Sequence, residues 1–143
     1  MLIRTLGGYM GYQGYLIKVG DYTIPYKYMK AESYKTVSSV QDVDPYRDGD
    51  GVLHRNAVEH RVNKAEFETP AMLTDDEVSE LISAIKMNYI DENERKVLAT
   101  MYSCELGEYI EQEMYMADIE FNIYGCYGGK LRYNPFRIAF ISY

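Results

Sequence analysis

The sequence predicts a mainly β protein, an antiparallel β-barrel or sandwich with one flanking α-helix at about residues 75–88. Three observations carry that prediction. Short stretches of alternating or β-branched character recur along the chain, and Gly, Pro and Asn/Asp clusters cut them apart at hairpin spacing. Only one segment has a helical period. The aromatic residues are 16 Tyr and 4 Phe with no Trp, and Tyr suits half-buried strands and protein interfaces, having an apolar body and a polar tip.

The elements follow in order. Residues 1–14, MLIRTLGGYMGYQG, hold four glycines and two tyrosines and no period, and read as an extended N-terminal arm. Tyr9 and Tyr12 would serve no purpose in a tail that only solvates, so the arm is expected to order against a neighbouring subunit. Residues 15–143 form one β-rich domain. Tyr15–Val19 and Tyr22–Ile24 read as a hairpin turning at Gly20-Asp21, and Pro25 ends it. Residues 28–41 continue as a long, half-exposed strand. The run from Asp42 to Gly51 is dense in turn formers. Val58–Thr69 is extended, with Ala65 and Phe67 on one face and Glu66 and Glu68 on the other, and Pro70 closes it.

The helix announces its own start. Thr74-Asp75-Asp76-Glu77 is a capping box, in which the Thr hydroxyl and the Glu carboxylate satisfy each other's orphan backbone N–H groups. Val78, Leu81, Ile82 and Ile85 then fall on one face, and the helix is expected to stop near Asn88. Lys96–Tyr102, Glu113–Ile123 and Phe136–Tyr143 read as the remaining strands. The total is six or seven strands.

Composition excludes several classes. The chain has 143 residues and a formal net charge of −7, a poor basis for duplex-DNA binding, which needs clustered Lys and Arg. No apolar run approaches the ~18 residues of a bilayer span. Arg4, Gly7 and Gly8 interrupt the start where a secretory leader would need an apolar run. The expectation is a soluble, intracellular domain with no membrane contact. Cys104 and Cys126 are too few for a disulfide scaffold and too far apart for a redox pair, and their redox state is open.

No enzyme signature survives inspection. Asp42, Asp44, Asp48 and Asp50 among glycines invite a calcium reading. An EF-hand register on Gly51 places Tyr46 at the first ligand and Ala57 at the last, and one on Gly49 places Tyr46 at the third and Arg55 at the last. Both fail, leaving a solvated turn. His54 and His60 have no second ligand at metal spacing. Cys104 precedes an acidic stretch, not the electropositive setting a nucleophilic thiolate needs. No catalytic, cofactor or metal residue is assigned, and no cofactor is expected.

The charge is unevenly spread. Residues 1–64 hold 9 basic and 7 acidic side chains, and residues 65–143 hold 6 and 15. No Lys or Arg lies between Lys96 and Lys130, whereas Glu105, Glu108, Glu111 and Glu113 do. One reading is a solvated acidic face that keeps the chain soluble. The other is a ring of copies with this segment inward, a wall that repels a passing polyanion.

As an ordered series the segments have a parent pattern. LIKVGDYTIP is followed by a strand ending SVQDVD, then an R-x-x-G-x-L-x-R turn over Arg47–Arg55. The strand KAEFETP, the helix opening TDDEVSELISAI, the step Tyr89-Ile90-Asp91 and a final aromatic-apolar strand complete it. Over about residues 15–143 this resembles a family of short tail proteins from phages and prophages of Gram-positive bacteria. That resemblance implies a tail-tube-like fold and a virion structural protein, made in the host cytoplasm and carried in the phage tail. It implies a homo-oligomer, a hexameric ring around the DNA channel, in contact with tube, tape-measure and tail-tip or baseplate proteins. Its place would be the distal tail or tail-tip ring; a tail-tube or tail-completion subunit is the alternative, and a monomeric ion- or small-ligand-binding module a more distant one. On this reading Tyr9, Tyr12, Tyr46, Arg47 and Arg55 are candidate subunit contacts, and Glu105, Glu108, Glu111 and Glu113 candidate channel-facing acids.

Overall fold

The computed structural model describes residues 11–143 together with the backbone of Arg4–Thr5. The strands are β1 (Arg4–Thr5), β2 (Ile17–Val19), β3 (Tyr22–Thr23), β4 (Lys35–Asp42), β5 (Tyr46–Arg47), β6 (Leu53–His54), β7 (Ala57–Glu68) and β8 (Leu73–Thr74). After the helix α1 (Asp75–Lys86) come β9 (Lys96–Ser103), β10 (Glu108–Met116), β11 (Ile123–Tyr127), β12 (Lys130–Tyr133) and β13 (Arg137–Ser142). The main sheet runs β3-β2-β9-β10-β13-β7-β4, with β1 beside β10; β11-β12-β8 and β5-β6 are separate small sheets. Every pairing among them is antiparallel, as short hairpin connections favour.

Among the described residues the strand path does not close into a barrel. It curls instead, so that β4 approaches the β9–β10 turn through side chains. The Tyr34 hydroxyl donates to the Tyr102 carbonyl at 2.6 Å, and the Cys104 N–H donates to Thr36 Oγ1 at 3.2 Å. Burial pushes the Tyr34 phenol well above its ordinary pKa, and the nearby Cys104 and Tyr109 add to that.

The inner face of the curl holds the core. Ile17 and Val19 of β2, Val97, Ala99 and Met101 of β9, Ile110 and Met114 of β10, Ile138 and Phe140 of β13 and Ala65 and Phe67 of β7 pack together. Cross-strand register brings Ile110 opposite Met101, Met114 opposite Val97 and Phe67 opposite Ile138. The helix covers the core with Val78, Leu81 and Ile85. Its capping box is formed in full, with Thr74 Oγ1 accepting from the Glu77 N–H and Glu77 Oε1 accepting from the Thr74 N–H.

The β2–β3 hairpin turns where its sequence says, at Gly20, with φ +58°. Glycine is needed there twice over: a side chain would sit in the left-handed region, and a Cβ would meet Asn88 Oδ1 at 2.3 Å. That same oxygen accepts from the Asp21 N–H at 3.2 Å, tying the hairpin to the end of the helix.

Two boundaries and the strand count differ from the sequence expectation. The strand expected from residue 28 begins at Lys35, because Tyr26–Tyr28 makes a 3-10 turn after Pro25 that buries Tyr28. The strand expected over Glu113–Ile123 is Glu108–Met116, and residues 117–122 are a connection. Its inward face includes a polar residue, Gln112, whose carbonyl accepts from Asn63 Nδ2 at 2.9 Å, so the apolar alternation is broken at its centre. The short two-residue strands raise the count above six or seven.

Candidate assembly interface

The longest departure from a compact domain is the arm built on β4 and β7. Its two strands diverge from the core after a bulge between Val40 and Gln41, and the chain continues through β5 and β6 to a tip. Every residue from 43 to 61 is exposed. The arm is nonetheless well bonded to itself. The Tyr46 ring stacks on the His54 imidazole at 4.8 Å across the β5–β6 pair. His54 Nε2 lies 2.9 Å from Asp48 Oδ2, and Asp48 Oδ1 accepts from the N–H groups of Asp50 and Val52. These hydrogen bonds, that of His54 first, hold the Asp48 carboxyl below its ordinary pKa. Arg47 Nη1 donates to the Gly51 carbonyl, and Arg55 donates through Nε and Nη2 to Asp42 Oδ2 at 3.0 and 2.9 Å.

This bonding gives Arg47 and Arg55 a role within the arm: they stiffen it. The side chains it exposes include the apolar Val43, Val52, Leu53 and Val58 and the open face of Tyr46. Sequence reading singled out Tyr46 and missed the aliphatic residues. The available signal was four aliphatic side chains scattered through a segment otherwise made of turn formers. Two of the four acids that suggest calcium are engaged internally, Asp42 by Arg55 and Asp48 by His54 and backbone. Among the described residues no group of three or more His, Cys, Asp or Glu is placed to hold a metal ion.

Tyr9 lies outside the described residues. Tyr12 packs on its own chain: its hydroxyl shares a hydrogen bond with the Tyr26 hydroxyl, and its ring meets Tyr102 edge-on at 6.3 Å. Next to it the Gln13 N–H donates to the Tyr109 hydroxyl, which donates to the Tyr15 carbonyl at 2.6 Å, and the Tyr15 ring stacks on Tyr109 at 4.6 Å. A tyrosine cluster thus seats residues 12–15 on β9 and β10. Tyr12 is still 55% exposed, so one side of its ring is open.

The four chosen acids do not share a face. Glu111 and Glu113 alternate with buried Gln112 and Met114 and sit on the outer side of β10. Glu108 has the opposite parity, at the start of that strand, and Glu105 lies in the preceding turn, 3.5 Å from Arg61 on β7. Glu113 is 3.4 Å from Lys96 on the adjacent strand.

A second exposed apolar surface went unnoticed in the sequence. The β11–β12 hairpin turns at Gly128-Gly129, with φ of +62° and +77°, the geometry of a tight two-residue turn. Phe121, Ile123, Tyr124 and Tyr127 are all about half exposed on it or just before it, and the Tyr124 and Tyr127 rings lie 6.0 Å apart.

Solved structures similar to this chain include two from gene transfer agent particles. One is a chain of the virion of a native gene transfer agent particle, with a TM-score of 0.48 and 14% identity over 89% of this chain and 92% of that one. The other belongs to the tail of an empty gene transfer agent particle with C6 symmetry, with a TM-score of 0.47 and 14% identity over 93% of this chain and 98% of that one. No curated protein matches the sequence. A family model does match, over residues 10–143, and the chain belongs to that family, the Family of unknown function DUF6711.

Proposed function

We propose that this protein is a structural subunit of a phage tail, joining copies of itself into a ring around the DNA channel and neither making nor breaking a covalent bond. The observation that carries this reading is the arm: nineteen consecutive exposed residues, 43–61, held in a defined hairpin with aliphatic side chains on its surface. Ordering such a segment costs about 1–2 kcal/mol of backbone entropy per residue, and a monomer recovers little of that from side chains left in water. A partner that covers the arm supplies the missing burial. The arm's own hydrogen bonds fix its shape beforehand and so lower the cost of association.

A contact made by one projecting arm on a different surface is heterologous, and heterologous contacts propagate into rings or filaments. A hexamer at the distal tail or tail tip is the form that the family resemblance favours, with tube and tape-measure proteins as neighbours. A tail-tube or tail-completion subunit would use the same arm. Glu111 and Glu113 lie on the outer side of β10, Glu113 beside Lys96, and that face turned toward the channel would suit a wall along which DNA slides. The ion-binding alternative is disfavoured by the engagement of Asp42 and Asp48 within the arm.

The test is to replace residues 43–55 with a two-residue Asn-Gly turn between Asp42 and Asn56. The shortened chain is expected to fold with an unchanged circular dichroism spectrum and to lose the ability to form rings seen by negative-stain electron microscopy. Rings of normal appearance from the shortened chain would overturn the proposal.

A further inference from the structure

The arm needs a surface to dock on, and the molecule carries one. We infer that the 42–55 arm of one subunit seats on the β11–β12 hairpin of a second copy, with Leu53 and Val52 covering Tyr124, Tyr127 and Ile123. The inference rests on the ring reading above and names the partner of that site.

Three features point to a second copy. Both surfaces expose apolar side chains at similar levels, Val52 at 55% and Leu53 at 45% against Tyr124 at 57% and Tyr127 at 54%. Isolated exposed hydrophobics are ordinary, but a contiguous aromatic patch on a hairpin marks an interaction surface. The charges are also opposite. Residues 42–55 carry Asp42, Asp44, Asp48 and Asp50 against Arg47 and Arg55, a net −2; residues 121–133 carry Lys130 and Arg132 and no acid, a net +2. Lys130 also meets Asp76 at the start of the helix, so Arg132 carries most of the contrast. Complementary potentials of this kind fix partner and register more than they add affinity. Finally, the two surfaces belong to different sheets of one molecule. Neither is its own complement, so their pairing between copies runs head to tail.

β11 is well suited to receive a strand-built arm. It is the edge of its sheet, pairing with β12 on one side only. Its sequence, IYGCY, has none of the charges or prolines that blunt an exposed edge in a monomer.

Tyr127 supplies the reporter position, because Cys126, although exposed, alternates with Gly125 and Tyr127 along β11 and lies on the other face. The experiment places Leu53→Cys and Tyr127→Cys in a Cys104→Ser/Cys126→Ser background and treats the assembled protein with diamide, which takes two electrons and two protons as the two thiols join. Non-reducing electrophoresis is expected to show a ladder of dimer, trimer and higher species that needs both introduced thiols and collapses on reduction. A product that stops at dimer, or one that forms with only one of the introduced thiols, would overturn the inference. So would the absence of a cross-link in protein that sedimentation shows to be assembled, and in that case the ring reading stands. Protein that sediments as a single protomer at every concentration would overturn both.

Discussion

The double substitution Val52→Ser/Leu53→Ser separates the arm's assembly role from any role in folding. Both side chains are about half exposed, 55% and 45%. Full burial of such a side chain is worth about 1.5–3 kcal/mol, so covering the remaining half gives ~1 kcal/mol each and ~2 kcal/mol for the pair. At 1.4 kcal/mol per factor of ten, each subunit contact weakens about 30-fold. The backbone pairing of Arg47 with Leu53 does not depend on the side chain, and the neighbouring stack of Tyr46 on His54 is untouched. Surface changes of this kind shift stability by no more than about 0.5 kcal/mol, which for a chain of this size moves the melting temperature by roughly 2 °C. Sedimentation velocity across a concentration series reads the first quantity, and a thermal melt below the assembly midpoint, where both chains are single protomers, reads the second. An assembly midpoint that does not move would refute the reasoning, and so would a large fall in melting temperature, since it would mean that the arm packs on its own domain.

The other predictions concern how the domain is held. Gly20→Ala places a Cβ in the left-handed region against Asn88, and is expected to cost about 1–3 kcal/mol in urea unfolding; a change below ~0.3 kcal/mol would mean that the turn is not constrained as described. Leu81→Ala empties a fully buried position under the helix, and unfolding should become easier by about 2–5 kcal/mol; a loss under ~1 kcal/mol would show that the helix does not cap the core. Glu66 has a pH signature. Burial by itself raises its carboxyl, but the Arg137 hydrogen bond at 2.6 Å and the charges of Lys64, Arg137 and Lys35 outweigh that and hold it below its ordinary 4.5. Because the folded value is depressed, the stabilisation is present above the unfolded pKa and is lost as pH falls through the folded one. Glu66→Gln should therefore destabilise by about 1–3 kcal/mol at pH 7 and by progressively less below about pH 4; a gap independent of pH would refute the assignment.

What the sequence makes legible follows from which forces are local. The capping box at Thr74 and the Val78–Ile85 stripe specify α1 within twelve residues, and both are satisfied in the fold. The Gly20 turn and the alternation of Ala65 and Phe67 with their charged neighbours are local in the same sense. The limits of β10 are not, because Gln112 is buried by virtue of Asn63, a residue 49 positions away. The acids illustrate a different difficulty. Proximity along the chain groups Glu105, Glu108, Glu111 and Glu113, but the two-residue period of a strand separates Glu108 from Glu111 and Glu113, and the turn carries Glu105 toward Arg61. In the arm, turn formers dominate the text, so the aliphatic residues between them read as incidental. Only their shared exposure on one hairpin gives them meaning. The β11–β12 patch was hidden for another reason, since no element was expected over residues 124–135, where Gly125, Gly128 and Gly129 interrupt any period.

The most direct test of the central claim is the mass of the unmodified chain in solution by native mass spectrometry or light scattering, over a range of concentrations. Assembly as a ring predicts a discrete species that is a fixed multiple of the 16.6 kDa protomer, with the sixfold one near 100 kDa. A mass that stays at 16.6 kDa at the highest concentrations would contradict it.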